Sequence, residues 1–197
     1  GFSHTLGIDA EGNLWGWGEN LDGQLGDNSL APVREIPHQS TRGTFFVGIA
    51  AGTASSIGLA ADGALYTWGD DGEGQLGLGA VTIDVRAPIR VPDVPAMAAV
   101  SAGNRFGLAL DRYGDLWAWG RNTEGQLGVG AAGGPVVSPQ QVTGAPGFVS
   151  ITAGARHAIA IDEQGDLWAW GDDSHGQVGN GIGASAVVQP ERITNGG

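Results

Sequence analysis

The second tryptophan of a Leu-(Trp/Tyr)-x-Trp-Gly motif falls at positions 17, 68, 119 and 170, a period of 51 without slippage. The four copies are Leu14-Trp15-Gly16-Trp17-Gly18, Leu65-Tyr66-Thr67-Trp68-Gly69, Leu116-Trp117-Ala118-Trp119-Gly120 and Leu167-Trp168-Ala169-Trp170-Gly171. Each is followed by Gly-Gln-(Leu/Val)-Gly, opening at Gly23, Gly74, Gly125 and Gly176, while Gly1, Gly52, Gly103 and Gly154 keep the same period. Such a repeat requires one supersecondary unit stacked four times, each copy burying its apolar surface against its neighbours. The chain divides into repeats 1–51, 52–102, 103–153 and 154–197, the last without its final strand, inside a single domain 1–197.

Within a repeat, period-two alternation gives way to turn signals. Gly107-Leu108-Ala109-Leu110 alternates small and large, Asp111-Arg112-Tyr113-Gly114 reads as a hairpin turn, and Asp115 to Trp119 alternates again. A glycine-rich loop and a variable stretch lead to Pro139-Gln140-Gln141-Val142, suited to a sheet edge because proline cannot donate. The spacing predicts strands a (Phe148–Ala153), b (Leu108–Leu110), c (Leu116–Trp119) and d (Pro139–Val142). Four short antiparallel strands per repeat predict an all-β chain, a β-propeller of four-stranded blades.

In strand c, Leu116 and Ala118 face one side and Trp117 and Trp119 the other, so both sides need cover. The residue between the aromatics is always small (Gly16, Thr67, Ala118, Ala169), so each Trp is expected to pack on the small-residue face of the next blade. Trp17, Trp68, Trp119 and Trp170 are therefore expected to be buried and structural, as are Gly23, Gly74, Gly125 and Gly176. The strand count is b-c-d, then a-b-c-d three times, and the chain stops at Asn195-Gly196-Gly197 before a fifth strand a. The expected object is a partial ring, or a ring completed by oligomerisation or by blades of a longer chain.

Composition narrows the function. The net charge is −12 and all nine basic residues are Arg, so phosphate backbones and anionic membranes repel the chain and nucleic acid and membrane are not expected partners. Cysteine is absent, which removes disulfides and thiolate metal sites. No apolar run approaches the length of a membrane span. Gly1 reads as the start of a mature form, an engineered segment or an excised piece rather than a native start. An extracellular or periplasmic setting is favoured.

The order Gly-x-x-His-Thr, apolar strand, Asp-x-x-Gly, Leu-Trp-x-Trp-Gly, Gly-Gln-Leu-Gly resembles the repeats of the regulator of chromosome condensation family, in their bacterial form, along the whole chain. The resemblance implies seven-bladed propellers. Its members include an exchange factor, a photoreceptor and a secreted bacterial inhibitor of β-lactamases. The repeat histidine survives as His4 and His157, with Ser55 and Phe106 at the other two places.

No catalytic residue and no cofactor is assigned. His4 and His157 read as turn histidines bonding backbone groups, and no Ser/His/Asp set recurs at fixed spacing. Asp70-Asp71-Gly72-Glu73 and Asp172-Asp173-Ser174-His175 are weighed as calcium loops and read instead as solvated turns, so no metal is assigned. The a–b turns and c–d loops emerge at one end of the blades. That end gathers Phe2, Asn104, Arg105 and Arg156 with Glu19, Asp22, Asp70, Asp71, Glu73, Arg121, Glu124, Asp172, Asp173 and His175. It is expected to be acidic and to bind another protein. The chain is thus read as a non-enzymatic interaction scaffold. The alternatives are a regulator or inhibitor of one enzyme, or a self-assembling structural segment.

Overall fold

The structure is a computed structural model that describes residues 1–40, 43–183 and 186–194; the expected chain end at Asn195 to Gly197 lies outside the described residues. Four antiparallel sheets follow one another, each a meander in chain order. The first holds β1 (His4–Ile8), β2 (Leu14–Glu19) and β3 (Val33–Gln39). The second holds β4 (Phe46–Ala51), β5 (Ser55–Ala60), β6 (Leu65–Gly69) and β7 (Val85–Arg90). The third holds β8 (Met97–Ala102), β9 (Phe106–Asp111), β10 (Leu116–Asn122) and β11 (Gly133–Gln141). The fourth holds β12 (Phe148–Ala153), β13 (His157–Asp162), β14 (Leu167–Gly171) and β15 (Val187–Arg192). The a strands β4, β8 and β12 contact one another on the inside, and the d strands form the outer edges. These are propeller blades, and the first has three strands, b to d.

The glycine that closes each Trp-Gly pair is required by a close approach. Gly18, Gly69, Gly120 and Gly171 have φ of +97°, +104°, +95° and +102°. A Cβ there would lie within 2.6 Å of the a–b turn carbonyl of Ser3, Ala54, Arg105 or Arg156. At this point strand c shifts register against strand d, a bulge seen in all four sheets. The bulge lets the outer strand run further than expected: β11 begins at Gly133, not Pro139. Each outer strand carries a proline (Pro37, Pro88, Pro139, Pro190), tolerated because one side of an edge strand has no ladder to serve.

Trp68, Trp119 and Trp170 have no exposed surface, as expected, but they reach the preceding blade rather than the next. Their indole N–H groups donate to the backbone carbonyls of Gln24, Gln75 and Gln126 at 2.9, 2.8 and 2.9 Å. The rings lie over Gly26, Gly77 and Gly128. The small residue inside strand c serves its own blade: Gly16 borders Leu25, and the Thr67 hydroxyl donates to Leu76 O at 2.7 Å. The expectation fails for Trp17, which is only half-buried: among the described residues no loop of another blade lies against it. A second bond joins each seam, from Asn28, Gly79 and Gly130 N–H to the carbonyls of Arg86, Val137 and Val188 at 2.8, 2.9 and 2.8 Å. Burying a whole indole, roughly 200 Å² at about 25 cal/mol/Å², makes each such seam worth several kcal/mol.

Candidate binding face

The c–d loops are built on one residue per blade. The side-chain oxygens of Asn20, Asp71, Asn122 and Asp173 accept from the backbone N–H of Leu25, Leu76, Leu127 and Val178 at 2.9–3.2 Å. The glutamine of each Gly-Gln motif does a second job: the side-chain oxygens of Gln24, Gln75, Gln126 and Gln177 accept from the backbone N–H of Asp22, Glu73, Glu124 and His175. The loop is thus closed by side chains while the glutamine carbonyl is left for the next blade's tryptophan.

This geometry corrects three expected surface acids. Asp71, Asp172 and Asp173 are buried, and Asp71 and Asp173 belong to the loop frame. Asp71 also accepts from Thr82 N and Oγ1 at 2.9 and 2.8 Å. Gly23, Gly74 and Gly125 are packed beneath the outer strand of the following blade, whereas Gly176 has nothing within 4 Å of an added Cβ.

The other expected residues do gather at one end. Phe2 is exposed at the axis, above an open cavity of about 570 Å³ whose walls are mostly glycine, alanine and backbone. Asn104 sits in the same turn ring, its backbone N–H on Ala155 O at 3.1 Å. Arg105, held at φ +64°, approaches Asp70 at 3.7 Å and Glu73 at 3.9 Å, both on the preceding blade. Arg156 repeats this against Glu124 at 3.6 Å and adds Asp172 at 3.4 Å. Arg121 pairs with Glu124 at 3.1 Å. Burial would raise the Glu124 carboxyl, but the Thr123 hydroxyl, Arg121, Gln126 and Arg156 together hold it below the usual range. Asp172 is lowered likewise: burial opposes, and the Ser174 amide and hydroxyl, Arg156 and His175 prevail.

The seam between the first two blades is different. Glu19 and Asp22 have no ion pair among the described residues. Asp22 is pushed up by burial and by Asp84, Asp70 and Glu19, against which Arg86 pulls weakly. Arg105 and Arg156 thus pair the acids of the later seams, whereas at the first seam Arg86 reaches Asp84 at 3.8 Å and leaves Glu19 and Asp22 without an ion pair. Sequence reasoning missed Asp84 and Arg86; the signal was Arg86 at the place held by Val137 and Val188. His175 is exposed, its Nδ1 against Ser174 Oγ at 2.9 Å.

His4 is not the backbone-bonded turn histidine expected. It is buried at the start of β1, with Nε2 3.0 Å from Ser56 Oγ of the next blade. That hydroxyl donates to Gln24 O at 2.7 Å, so His4 Nε2 must be the donor in the pair and Nδ1 is left without a partner. A serine whose proton points to a carbonyl, beside an imidazole that donates to it, is not an activated nucleophile. Burial, then the nearby amino terminus, lowers the His4 pKa to about 4. Among the described residues no group of three or more His, Cys, Asp or Glu is placed to hold a metal ion.

The class defined by these blades is a β-propeller, here as four consecutive blades. Models of the regulator of chromosome condensation (RCC1) repeat match residues 62–110 and 113–161, and a second such model matches 1–24, 46–75, 97–126 and 148–177. The chain belongs to the RCC1 repeat family. It is 32% identical over 187 residues to the human E3 ubiquitin-protein ligase HERC2, covering 92% of this chain and 4% of that one. It is 34% identical over 189 residues to the ultraviolet-B receptor UVR8 of Arabidopsis thaliana, covering 92% and 42%. Yeast RCC1 (Prp20), solved bound to Kap60, superposes with a TM-score of 0.89 at 26% identity over 98% of this chain and 47% of that chain. The chain therefore spans less than half the length of each of these relatives. All three are eukaryotic, so they give the bacterial form of the resemblance no support.

Proposed function

We propose that this chain is a non-enzymatic scaffold that binds another protein through the a–b turns and c–d loops at one end of its blades. The observation that carries the reading is the uneven charge of that end. Arg105, Arg121 and Arg156 hold Asp70, Glu73, Glu124 and Asp172 in ion pairs, while at the first seam Glu19 and Asp22 have none, Asp84 reaches only Arg86, and the Asp22 carboxyl is forced upward. Like charges held together on a rigid frame favour an incoming cation, and a protein surface bearing Arg or Lys supplies it. The yeast relative solved with Kap60 is a precedent for protein partners on this scaffold. Phosphate backbones are disfavoured by the same field.

The test leaves the loop frame intact. Glu19, Asp22 and Asp70 are changed to Lys and compared with the same reversal at Glu11, Asp115 and Glu163 at the opposite end. Proteins captured from lysate by the parent at low salt, released as salt rises, kept by the opposite-end variant and lost by the first-seam variant, support the reading. Equal loss from both variants, or loss from neither, overturns it.

A further inference from the structure

The a–b turn arginine that pairs the acids of the later seams has no counterpart at the first. Arg105 reaches back to Asp70 and Glu73 on the preceding blade, and Arg156 reaches back to Glu124. The same place on the second blade is Ala54, and the acids before it, Glu19 and Asp22, have no ion pair among the described residues. Arg86 does not make up the loss. Its guanidinium is taken by the carbonyls of Leu21, Ser29 and Asn20 at 2.8, 3.3 and 3.5 Å and by Asp84 at 3.8 Å. Behind Asp22 the Gln24 side chain is fully buried; its oxygen accepts from Asp22 N–H at 3.0 Å, and its Nε2 has no partner among the described residues. The equivalent Gln126 Nε2 donates to the Glu124 carboxylate at 3.2 Å, the acid that Arg156 also holds. The idle Gln24 donor is thus aimed at the place where the third blade fixes its acid. The first seam is built like the later ones, without the cation.

The same seam carries the apolar side chains. Leu21 on the first blade, and Val81 and Ile83 on the second, are 57%, 50% and 89% exposed. The corresponding places are Gly72, Ala132 and Gly134 at the second seam and Thr123, Gly183 and Ser185 at the third. Gly72, Ala132 and Gly134 are exposed as well, so exposure belongs to these loop places even with a blade on either side of the seam. The aliphatic residues are held in position. Arg86 ties Leu21 O to Asp84, the neighbour of Ile83, and Thr82, between Val81 and Ile83, donates its N–H and hydroxyl to Asp71 at 2.9 and 2.8 Å. Fixed apolar side chains beside carboxylates that lack a cation suit a ligand that is basic and apolar within a few residues. We infer that a segment of the protein partner inserts an Arg or Lys side chain at the place left by Ala54, against Glu19 and Asp22, and lays a neighbouring aliphatic side chain over Leu21 and Ile83. This rests on the loop-end reading and narrows it: charge steers the partner, and the apolar contact at the first seam selects it.

The test titrates the purified chain into labelled peptides followed by fluorescence anisotropy: one repeating Leu-Leu-Arg-Arg, one with Ser for Leu, and one with Glu for Arg. The parent should bind the Leu/Arg peptide about tenfold tighter than the Ser/Arg peptide, and the Leu/Glu peptide not at all. Ala54→Arg, which supplies the cation from within the chain as Arg156 does, should weaken the Leu/Arg peptide about tenfold, while Ala54→Gln, of similar reach without charge, should stay within about twofold of the parent. Leu21→Ser with Ile83→Ser should bring the Leu/Arg peptide down to the affinity of the Ser/Arg peptide, which itself stays unchanged. The inference is overturned by equal binding of the Leu/Arg and Ser/Arg peptides, by a Leu/Glu peptide that binds as well as either, by parent-like binding in Ala54→Arg, or by equal losses in Ala54→Arg and Ala54→Gln. Its failure is distinct from that of the wider reading. If the two basic peptides bind the parent alike and both are lost on reversal of Glu19, Asp22 and Asp70 to Lys, the acidic face stands and this contact falls; if neither basic peptide binds, both fall.

Discussion

Trp119 and Trp17 are the same residue of the same motif, yet one is sealed and the other half open. Both stand on strand c between strands b and d; the first sheet lacks strand a, which does not border strand c. What differs is the loop of a preceding blade: Trp119 has Gly77 against its ring and Gln75 O on its nitrogen, and Trp17 has neither. In a stacked repeat, burial is a property of the pair of units, not of the residue.

The sharpest way to break that comparison is to delete both rings. Trp119→Ala should cost about 3–5 kcal/mol, the range for large aromatic deletions in cores, and Trp17→Ala about 1 kcal/mol or less. Urea unfolding midpoints, taken at a dilution that keeps the chain monomeric, decide it; equal shifts would mean that the seam is not where the stability lies.

His4 tests the first seam from the other side. Its folded pKa of about 4 lies below the ordinary value of 6.5, so between these pH values the unfolded chain binds the proton that the folded chain refuses. Stability from this group is complete above pH 6.5 and is lost as pH falls toward 4, by up to about 3 kcal/mol at 1.36 kcal/mol per unit. Unfolding midpoints of the parent and His4→Gln across that window should converge as pH falls, and parallel curves would contradict the burial.

Asp71 and Asp173 sharpen the contrast between a loop covered by a following blade and one left uncovered. Asp71→Ala removes the acceptor for three donors and should cost about 2 kcal/mol; Asp173→Ala, with one such donor, about 1 kcal/mol. Asp71→Asn keeps the oxygen that accepts from Leu76 but loses the one that accepts from Thr82, so it should cost less than Asp71→Ala, which thermal unfolding resolves.

The smallest effect concerns the b–c hairpins. Asp9, Asp111 and Asp162 accept from the indoles of Trp15, Trp117 and Trp168, and the second blade replaces both partners together, with Ala60 and Tyr66. Accepting from Trp15, then Asn13, draws the Asp9 carboxyl down to about 2. Installing Ala60→Asp with Tyr66→Trp should add about 1 kcal/mol beyond the sum of the single changes, read from a double-mutant cycle.

Blade number, strand order and the inner three strands were legible in the sequence because period-two alternation and a fixed 51-residue spacing are properties of the chain itself. The early start of β11 was not: Gly133 to Ser138 shows no alternation, and the ladder continues only because Gly120 admits a bulge. Asp71 and Asp173 were misread as solvated charge, although Asn20 and Asn122 at the same places already indicated that an oxygen, not a charge, was being used. The ion pairs of Arg105 with Asp70 and of Arg156 with Glu124 join residues from different blades, and no single repeat contains both partners. The direction in which Trp68 reaches was equally hidden, since alternation says which side a residue faces but not which neighbour lies there.

That direction bears on how the chain comes into being. Every filled seam joins a tryptophan to a carbonyl 44 residues behind it, never ahead. A polypeptide emerging from the ribosome therefore presents each acceptor loop before the indole that will close on it is made. After the first blade, whose Trp17 is half open, no tryptophan has to wait uncovered for a later blade to arrive, and the surface awaiting cover is the trailing loop. Growth of this kind needs only short-range searches between adjacent units, which is the regime in which folding is fast and misassembly between distant segments has least opportunity.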